Sequence, residues 1–239
     1  EALKEMHLTP EDIQLIQNDT KTCPDTGMAG ASRSLYMDGN ATIIAANKLL
    51  AAMRKEDGTL RTYDEMKAEG IETKYLGRYE TNTTPGLCRL DPNTGIGDPT
   101  PAFTYCLNLA EVEVDTKTGK TTVLKFTCVD FVGRIGNIDA VNGQAYSGIM
   151  HGIGFALKED YADVKKHANM FGAGTSYIKD VPDDIDLIHI DGAISDGPFG
   201  SSGASEAFQA SGHCAVLNGI YNACGVRIHE IPALPEKVK

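Results

Sequence analysis

The chain has 239 residues, 41% hydrophobic and 23% charged, a balance that excludes a disordered or low-complexity protein. Its 25 glycines follow no triplet period, which excludes collagen, and 22 basic against 33 acidic side chains give a net charge of −11. Such a surface does not suit nucleic acid or anionic membranes, which need clustered Lys and Arg, and no apolar run of about 18 residues is present to span a bilayer.

The N-terminus, Glu1-Ala2-Leu3-Lys4-Glu5, has neither the basic nor the apolar region of a secretory leader. It lacks an initiator Met, so the chain is expected to be cut from something longer. A short mixed run leads into the Gly/Ser/Thr-rich stretch from Asp25 to Ser34. Ile43, Ala46, Leu50 and Met53 then recur at helical spacing, with Asp38 as the expected N-cap and Arg54 and Lys55 at the C-terminal end of the dipole. Residues 56–100 read as an irregular excursion holding one short helix at Tyr63–Ala68.

After residue 102 the period changes. Val112 and Val114 alternate with Glu111, Glu113 and Asp115, the chain turns at Thr118-Gly119-Lys120, and Val123 to Val132 return. This is a hairpin. Val141, Ala145, Ile149, Ile153 and Leu157 form an unbroken i, i+4 row and therefore a helix. It carries Gly143, Gly148, Gly152 and Gly154, each costing up to about 1 kcal/mol relative to Ala. That density implies that something approaches the helix closely. Ile185, Leu187, Ile188 and Ile190 mark a strand, residues 192–203 hold four Gly and one Pro, and a helix is expected from Glu206 to Cys224, stopped by Gly225. Val226–Ile231 reads as a last strand. The order of hairpin, helix, strand and helix, without repeats, predicts an α+β fold of mixed sheets and helices.

Several motifs reduce to ordinary structure. Gly119-Lys120-Thr121 imitates the end of a P-loop, but Val114 stands where its first Gly is required. Gly152-x-Gly154 lacks the third Gly of a dinucleotide fingerprint and lies inside a helix. The six cysteines, Cys23, Cys88, Cys106, Cys128, Cys214 and Cys224, form no C-x-x-C pair and read as free thiols of a reducing cytoplasm. The Asn-x-Thr sites at Asn18, Asn40 and Asn82 then carry no glycosylation meaning. The His residues are too dispersed for a metal cluster.

Three Gly-rich segments remain, at 27–34, 133–144 and 197–206. Each precedes a predicted helix, where backbone N–H groups are offered to anions. Any one of them taken singly reads first as a tight turn with a cap, and the presence of three, with small hydroxylated residues beside the glycines, weakens that reading. Glu206 stands in the first turn of its helix, a common place for a carboxylate that complements the dipole; a capping box is not available, because Gly203 lies three residues before it. Residue types alone leave both a structural and a catalytic role open.

At these residues the sequence resembles the molybdenum hydroxylases, the xanthine oxidase and aldehyde oxidoreductase family. The likeness rests on Thr26-Gly-Met-Ala-Gly-Ala-Ser-Arg-Ser34, on Gly136-Asn-Ile-Asp-Ala-Val-Asn-Gly-Gln144, on Gly197-Pro-Phe-Gly-Ser-Ser-Gly-Ala-Ser-Glu206, and on the tail from Asp163 to Val238. It covers essentially the whole chain and is nearest to the bacterial aldehyde oxidoreductases that use molybdopterin cytosine dinucleotide. The resemblance implies that residues 1–239 are a C-terminal molybdenum-cofactor-binding domain, part of an enzyme that oxidises an aldehyde to a carboxylic acid with water as oxygen source. It implies cofactor contacts from Ala29, Gly30, Ala31, Ser32, Arg33 and Ser34, from Gly136, Asn137 and Gln144, and from Ser202, Gly203, Ala204 and Ser205. Glu206 becomes the catalytic base, and the metal is held by the pterin dithiolene without a protein ligand. Two [2Fe–2S] clusters are implied on other domains, since no four-Cys pattern exists here. Many members have Gly directly before the Glu, whereas this chain has Ser205. The remaining domains of the enzyme are the expected partners, together with a second copy in a homodimer, and the isolated chain is expected to be inactive. A split-subunit hydroxylase of a purine- or nicotinate-type heterocycle and a non-catalytic binding or assembly module are the alternatives.

Overall fold

The computed structural model describes residues 1–17, 19–81, 90–100, 102–193 and 197–239; Asn18, Asn82 and Cys88 lie outside the described residues. The chain forms two compact units, Glu1–Ala102 with Ser195–Phe199, and Phe103–Ile194 with Gly200–Lys239.

The first unit is built on α1 (Ser34–Met53) and the short α2 (Tyr63–Ala68). α2 starts on a reciprocal cap, in which the Thr62 hydroxyl accepts from Glu65 N–H and Glu65 Oε2 accepts from Thr62 N–H at 2.7 Å. α1 begins four residues earlier than the polar Asp38-Gly39-Asn40 stretch suggests, and Asp38 lies inside it instead of capping it. The cause is packing: Tyr36 is buried and meets the Tyr79 ring edge-on at 5.9 Å, which holds the preceding turn helical. Across α1, a Cβ on Gly77 would lie 1.8 Å from the Ala41 carbonyl oxygen, so only glycine lets residues 76–80 run against that helix.

The second unit has a three-stranded sheet in the order β1-β2-β3. β1 (Tyr105–Val114) and β2 (Thr121–Phe131) form the expected hairpin, and β3 (Asp184–His189) pairs in parallel with β2. A parallel neighbour requires a crossover, and α3 (Ile138–Leu157) lies in it, followed by the short α4 (Met170–Ala173). After β3 come α5 (Ser205–Ala210), α6 (Gly212–Cys224) and α7 (Pro235–Val238). One sheet face, with Val123, Phe126 and Cys128, is covered by helices and forms the core with Ile149, Ile153, Phe208, Val216 and Ile220.

The glycines of α3 are explained by what they face. A Cβ on Gly148 would stand 2.5 Å from Phe208 Cβ, one on Gly152 2.9 Å from Gly212 Cα, and one on Gly154 2.2 Å from Glu159 Oε1. Around Gly143 there is open space within 4 Å. The predicted helix from Glu206 to Cys224 is in fact two, broken at Ser211, whose φ of −120° and ψ of 0° are not helical. The break falls where the α3 backbone comes closest, at Gly152 against Gly212, and the Ser211 hydroxyl accepts from Asn108 Nδ2 at 2.9 Å. The predicted strand at Val226–Ile231 is absent: Val226 and Ile228 are half-buried alternately with exposed Arg227 and His229, yet no ladder forms. The period of two reported burial there, not pairing.

Substitutions on the two sides of α3 should therefore diverge. Gly148→Ala overpacks Phe208 and is expected to cost about 1–3 kcal/mol, whereas Gly143→Ala should stabilise by roughly 0.5–1 kcal/mol. Urea unfolding of both variants measures the contrast.

Candidate functional site

In the second unit the two Gly-rich loops meet. Gly133 and Ser201 form an antiparallel bridge, Arg134 N–H donates to the Gly200 carbonyl at 3.0 Å, and Ser202 N–H donates to the Val132 carbonyl at 3.0 Å. The Ser201 hydroxyl adds a bond to the Arg134 carbonyl at 2.6 Å. Both glycines of this junction are structural. Gly133 has φ +80° and a Cβ there would lie 2.4 Å from the Gly200 oxygen; Gly200 has φ +85° and would strike Ala193. The loops leave the C-terminal end of β2 and the N-terminal side of α5, and α3 starts nearby. Parallel strands commonly place ligands at that end.

Of the sequence-predicted residues in this unit, Asn137 is the N-cap of α3, its Oδ1 accepting from Ala140 N–H at 3.0 Å. Gln144 lies exposed two turns along α3. Ser202 is buried, Gly203, Ala204 and Ser205 are half-buried, and α5 starts at Ser205 after Ala204, with no side-chain cap. Glu206 is exposed in the first turn of α5. Two residues on, Phe208 is fully buried against Gly148, which anchors the opposite side of the same short helix. Phe208 and Gly148 thus position Glu206, a role that the sequence reading missed although both residues lie on its helical stripes.

The first unit holds the loop at 27–34. Ala31 and Ser32 are consecutive non-glycine residues at φ +55° and +57°, a conformation costing about 1–3 kcal/mol each and characteristic of functional sites. α1 follows at Ser34 with no side-chain cap from Arg33, whose guanidinium is turned back onto the Met28 carbonyl. A cavity of about 720 Å³ opens beside the loop; it takes in Ala29, Arg33 and Ser34 but not Gly30, Ala31 or Ser32.

The fit of a large anionic cofactor can be tested on the glycines. Gly30 and Gly136 lie outside the left-handed region, and nothing stands within 4 Å of a Cβ on either. Neither backbone strain nor packing in the chain requires glycine at these positions. Gly143 is equally open, so open space alone does not mark a ligand; Gly30 and Gly136 differ from it in lying just before a helix, within one turn of its start, where N–H groups favour phosphate. The residues present fit the group.

One cluster was not foreseen. Asp130, 1% exposed on the inner face of β2, lies with Oδ2 2.6 Å from His189 Nδ1; His189 Nε2 is 2.7 Å from Asn142 Oδ1 on α3. The cluster ties the ends of β2 and β3 to the start of α3. Burial pushes the Asp130 carboxyl above its ordinary range, with the hydrogen bond and charge of His189 pulling the other way. Its parity, a carboxylate in the inward row of Phe126, Cys128 and Val132, was the available signal. Among the described residues no group of three or more His, Cys, Asp or Glu is placed to hold a metal ion, and no helix is long and apolar enough to cross a membrane.

Gly-rich loops just before helix starts suit the binding of an anionic group. Comparison with known proteins gives the family. Residues 2–182 match the molybdopterin cofactor-binding domain, and the chain belongs to that family. It is 43% identical to the aldehyde oxidoreductase of Megalodesulfovibrio gigas over 100% of this chain and 26% of that protein. It is 28% identical to a probable hypoxanthine oxidase of Escherichia coli over 99% of this chain and 26% of that one. The crystal structure of aldehyde oxidoreductase from Desulfovibrio desulfuricans superposes with a TM-score of 0.93 at 46% identity, covering 99% of this chain and 26% of that chain. The chain thus spans about a quarter of the length of the relatives it matches.

The Asp130–His189 pair yields a stability test. His189→Leu leaves the buried Asp130 carboxyl without its hydrogen-bond partner and is expected to cost about 1–3 kcal/mol. Because the folded value for Asp130 is raised, its stabilising contribution is fully present below the unfolded value and is lost as pH rises through the folded one. Asp130→Asn should flatten that part of the profile, measured by urea unfolding between about pH 4 and 7.

Proposed function

We propose that this chain supplies one wall of the active site of a molybdenum hydroxylase that oxidises an aldehyde to a carboxylic acid. Water provides the oxygen, and the reaction releases two electrons and two protons. The observation that carries the reading is the bridged pair of loops in the second unit, whose distal end delivers an exposed Glu206 from a helix locked in place by Phe208. The 43% identity with an aldehyde oxidoreductase favours the aldehyde over the heterocycle, whose relative here stands at 28%.

When bound, the molybdenum cofactor supplies the redox centre for the two-electron step. Ala29, Gly30, Ala31, Ser32, Arg33, Ser34, Gly136, Asn137, Gln144, Ser202, Gly203, Ala204 and Ser205 are the residues that would hold it. The open backbone at Gly30 and Gly136 leaves room before the first turns of α1 and α3, whose N–H groups would suit phosphate. The Glu206 carboxylate accepts the proton of the attacking oxygen from its place in the first turn of α5.

The finer parts of the reading follow the family resemblance. The cofactor is the cytosine dinucleotide form, the electrons leave through two [2Fe–2S] clusters on other parts of the enzyme, and the complete enzyme is a homodimer of the cytoplasm. Five described cysteines are free thiols, in keeping with a reducing compartment. The isolated chain, with one wall of the site, is inactive.

Glu206→Gln in the complete enzyme is the test. The amide keeps the shape but takes no proton, so single-turnover reduction by an aldehyde should slow by about 10²–10⁴-fold. Molybdenum occupancy and thermal stability, measured on the same sample, should hardly change. A rate above about a tenth of wild type at full occupancy would reduce Glu206 to a helix-start residue, worth about 0.3–1 kcal/mol.

A further inference from the structure

The helices of the second unit cover one face of its sheet; the other face, among the described residues of the unit, is largely exposed, with Gly192 lying against the Phe131 ring. Along β1 the outward row is Tyr105, Leu107 and Leu109, all more than half exposed. Tyr105 stacks on Phe131 at 6.4 Å between ring centroids, and Leu107 pairs with Val129, which in turn pairs with Ile188 on β3. Ile188 is half exposed. Strand pairing therefore lines up Leu107, Val129 and Ile188 as one apolar row across the three strands, with Tyr105 and Phe131 beside it on one side and Leu109 on the other. Solvated antiparallel faces normally alternate to polar outward residues, and contiguous patches beyond a few hundred Å² mark interaction sites.

The same face changes character toward the hairpin turn. Glu111 and Glu113 continue the β1 row, and Asp184 and Asp186 continue that of β3. Between them lies Lys125, with Nζ 2.7 Å from Asp186 and 3.3 Å from Asp184. Two carboxylates thus pair with the one ammonium, and Glu111 and Glu113 add further negative charge to the same end of the face. A second copy docked here by a two-fold axis would bring two such acidic ends into one interface, in a chain already at −11.

The relatives of the chain carry about three times as much additional polypeptide, since this chain matches 26% of their length. Cover is therefore available from the same enzyme.

We propose that the outward face of β1-β2-β3, centred on Leu107, Leu109, Phe131 and Ile188, is the docking surface for the rest of the enzyme, a protein surface apolar at its centre and basic beside Glu111 and Asp186. The inference rests on the reading of the chain as one part of a larger hydroxylase. Leu109→Cys, a mild change at an exposed site, allows it to be tested by pulse-labelling with a bulky maleimide and counting the modified peptide by mass. In the monomeric fraction of the 239-residue chain the thiol should react as a solvent-exposed one. In the complete enzyme it should react at least tenfold more slowly, at unchanged molybdenum content and melting temperature. Equal rates in the two samples overturn the proposal. So does protection that vanishes when the complete enzyme is diluted to monomers, which would assign the face to a second copy. Molybdenum measured on the same complete enzyme separates the outcomes: its absence refutes the hydroxylase reading, while fast labelling of a molybdenum-loaded enzyme refutes only the docking surface.

Discussion

The second unit depends on the approach of α3 to α5 and α6 through glycine. Gly148 and Gly152 remove two side chains from the helix face, which brings Phe208 and the Gly212 backbone within contact of the α3 backbone. That contact breaks what would be one long helix into α5 and α6 and buries Phe208 completely. A buried Phe is worth about 1.5–3 kcal/mol, enough to fix a helix of one and a half turns that has no propensity to stand alone. Glu206 sits on that helix. The orientation of the proposed base is thus set on the far side of α5 from any substrate, by packing that has no chemistry of its own.

Glycines in and beside the helices of this chain differ in what surrounds them. Gly148, Gly152 and Gly154 permit close packing, because a Cβ on each would collide with the protein itself. Gly30, Gly136 and Gly143 have neither a collision nor a positive φ to explain them. The proposed ligand clearance at Gly30 and Gly136 therefore rests on their place just before α1 and α3, which Gly143, inside its helix, does not share. Ala31 and Ser32 make the complementary point: they adopt left-handed backbone without the residue that does so cheaply.

Much of this was legible in advance. The i, i+4 row from Val141 to Leu157 and the alternation at Val112 and Val114 report burial directly, and α3 and the hairpin follow where they were expected. The short helix at Tyr63–Ala68 carried its own cap. Failures occurred where burial and hydrogen bonding part company. Val226 and Ile228 alternate as a strand does but pair with nothing, and the interruption at Ser211 is imposed from outside by Gly152. Asp38 looked like a helix start because polar residues cluster there, and a distant ring, Tyr79, decided otherwise. The loops of the site were recognisable by composition, whereas the bridge between Gly133 and Ser201 joins residues 68 apart and has no local signature.

The Asp130–His189–Asn142 cluster places a polar post on the buried side of the sheet, as Asn108 with Ser211 does further along it. A lone carboxylate in that row would cost more than any packing it allows. Paired with His189 on the parallel strand, and through it with α3, it ties three elements together at the end of the sheet from which the loop to Gly136 departs. Apolar contacts could supply the same stability, but they tolerate sliding by a fraction of a residue. Hydrogen bonds of 2.6 and 2.7 Å do not. A site that must present glycine-cleared backbone to a large cofactor needs its helix start held to within a fraction of an ångström, and a short directional chain of this kind meets that need where leucine would not.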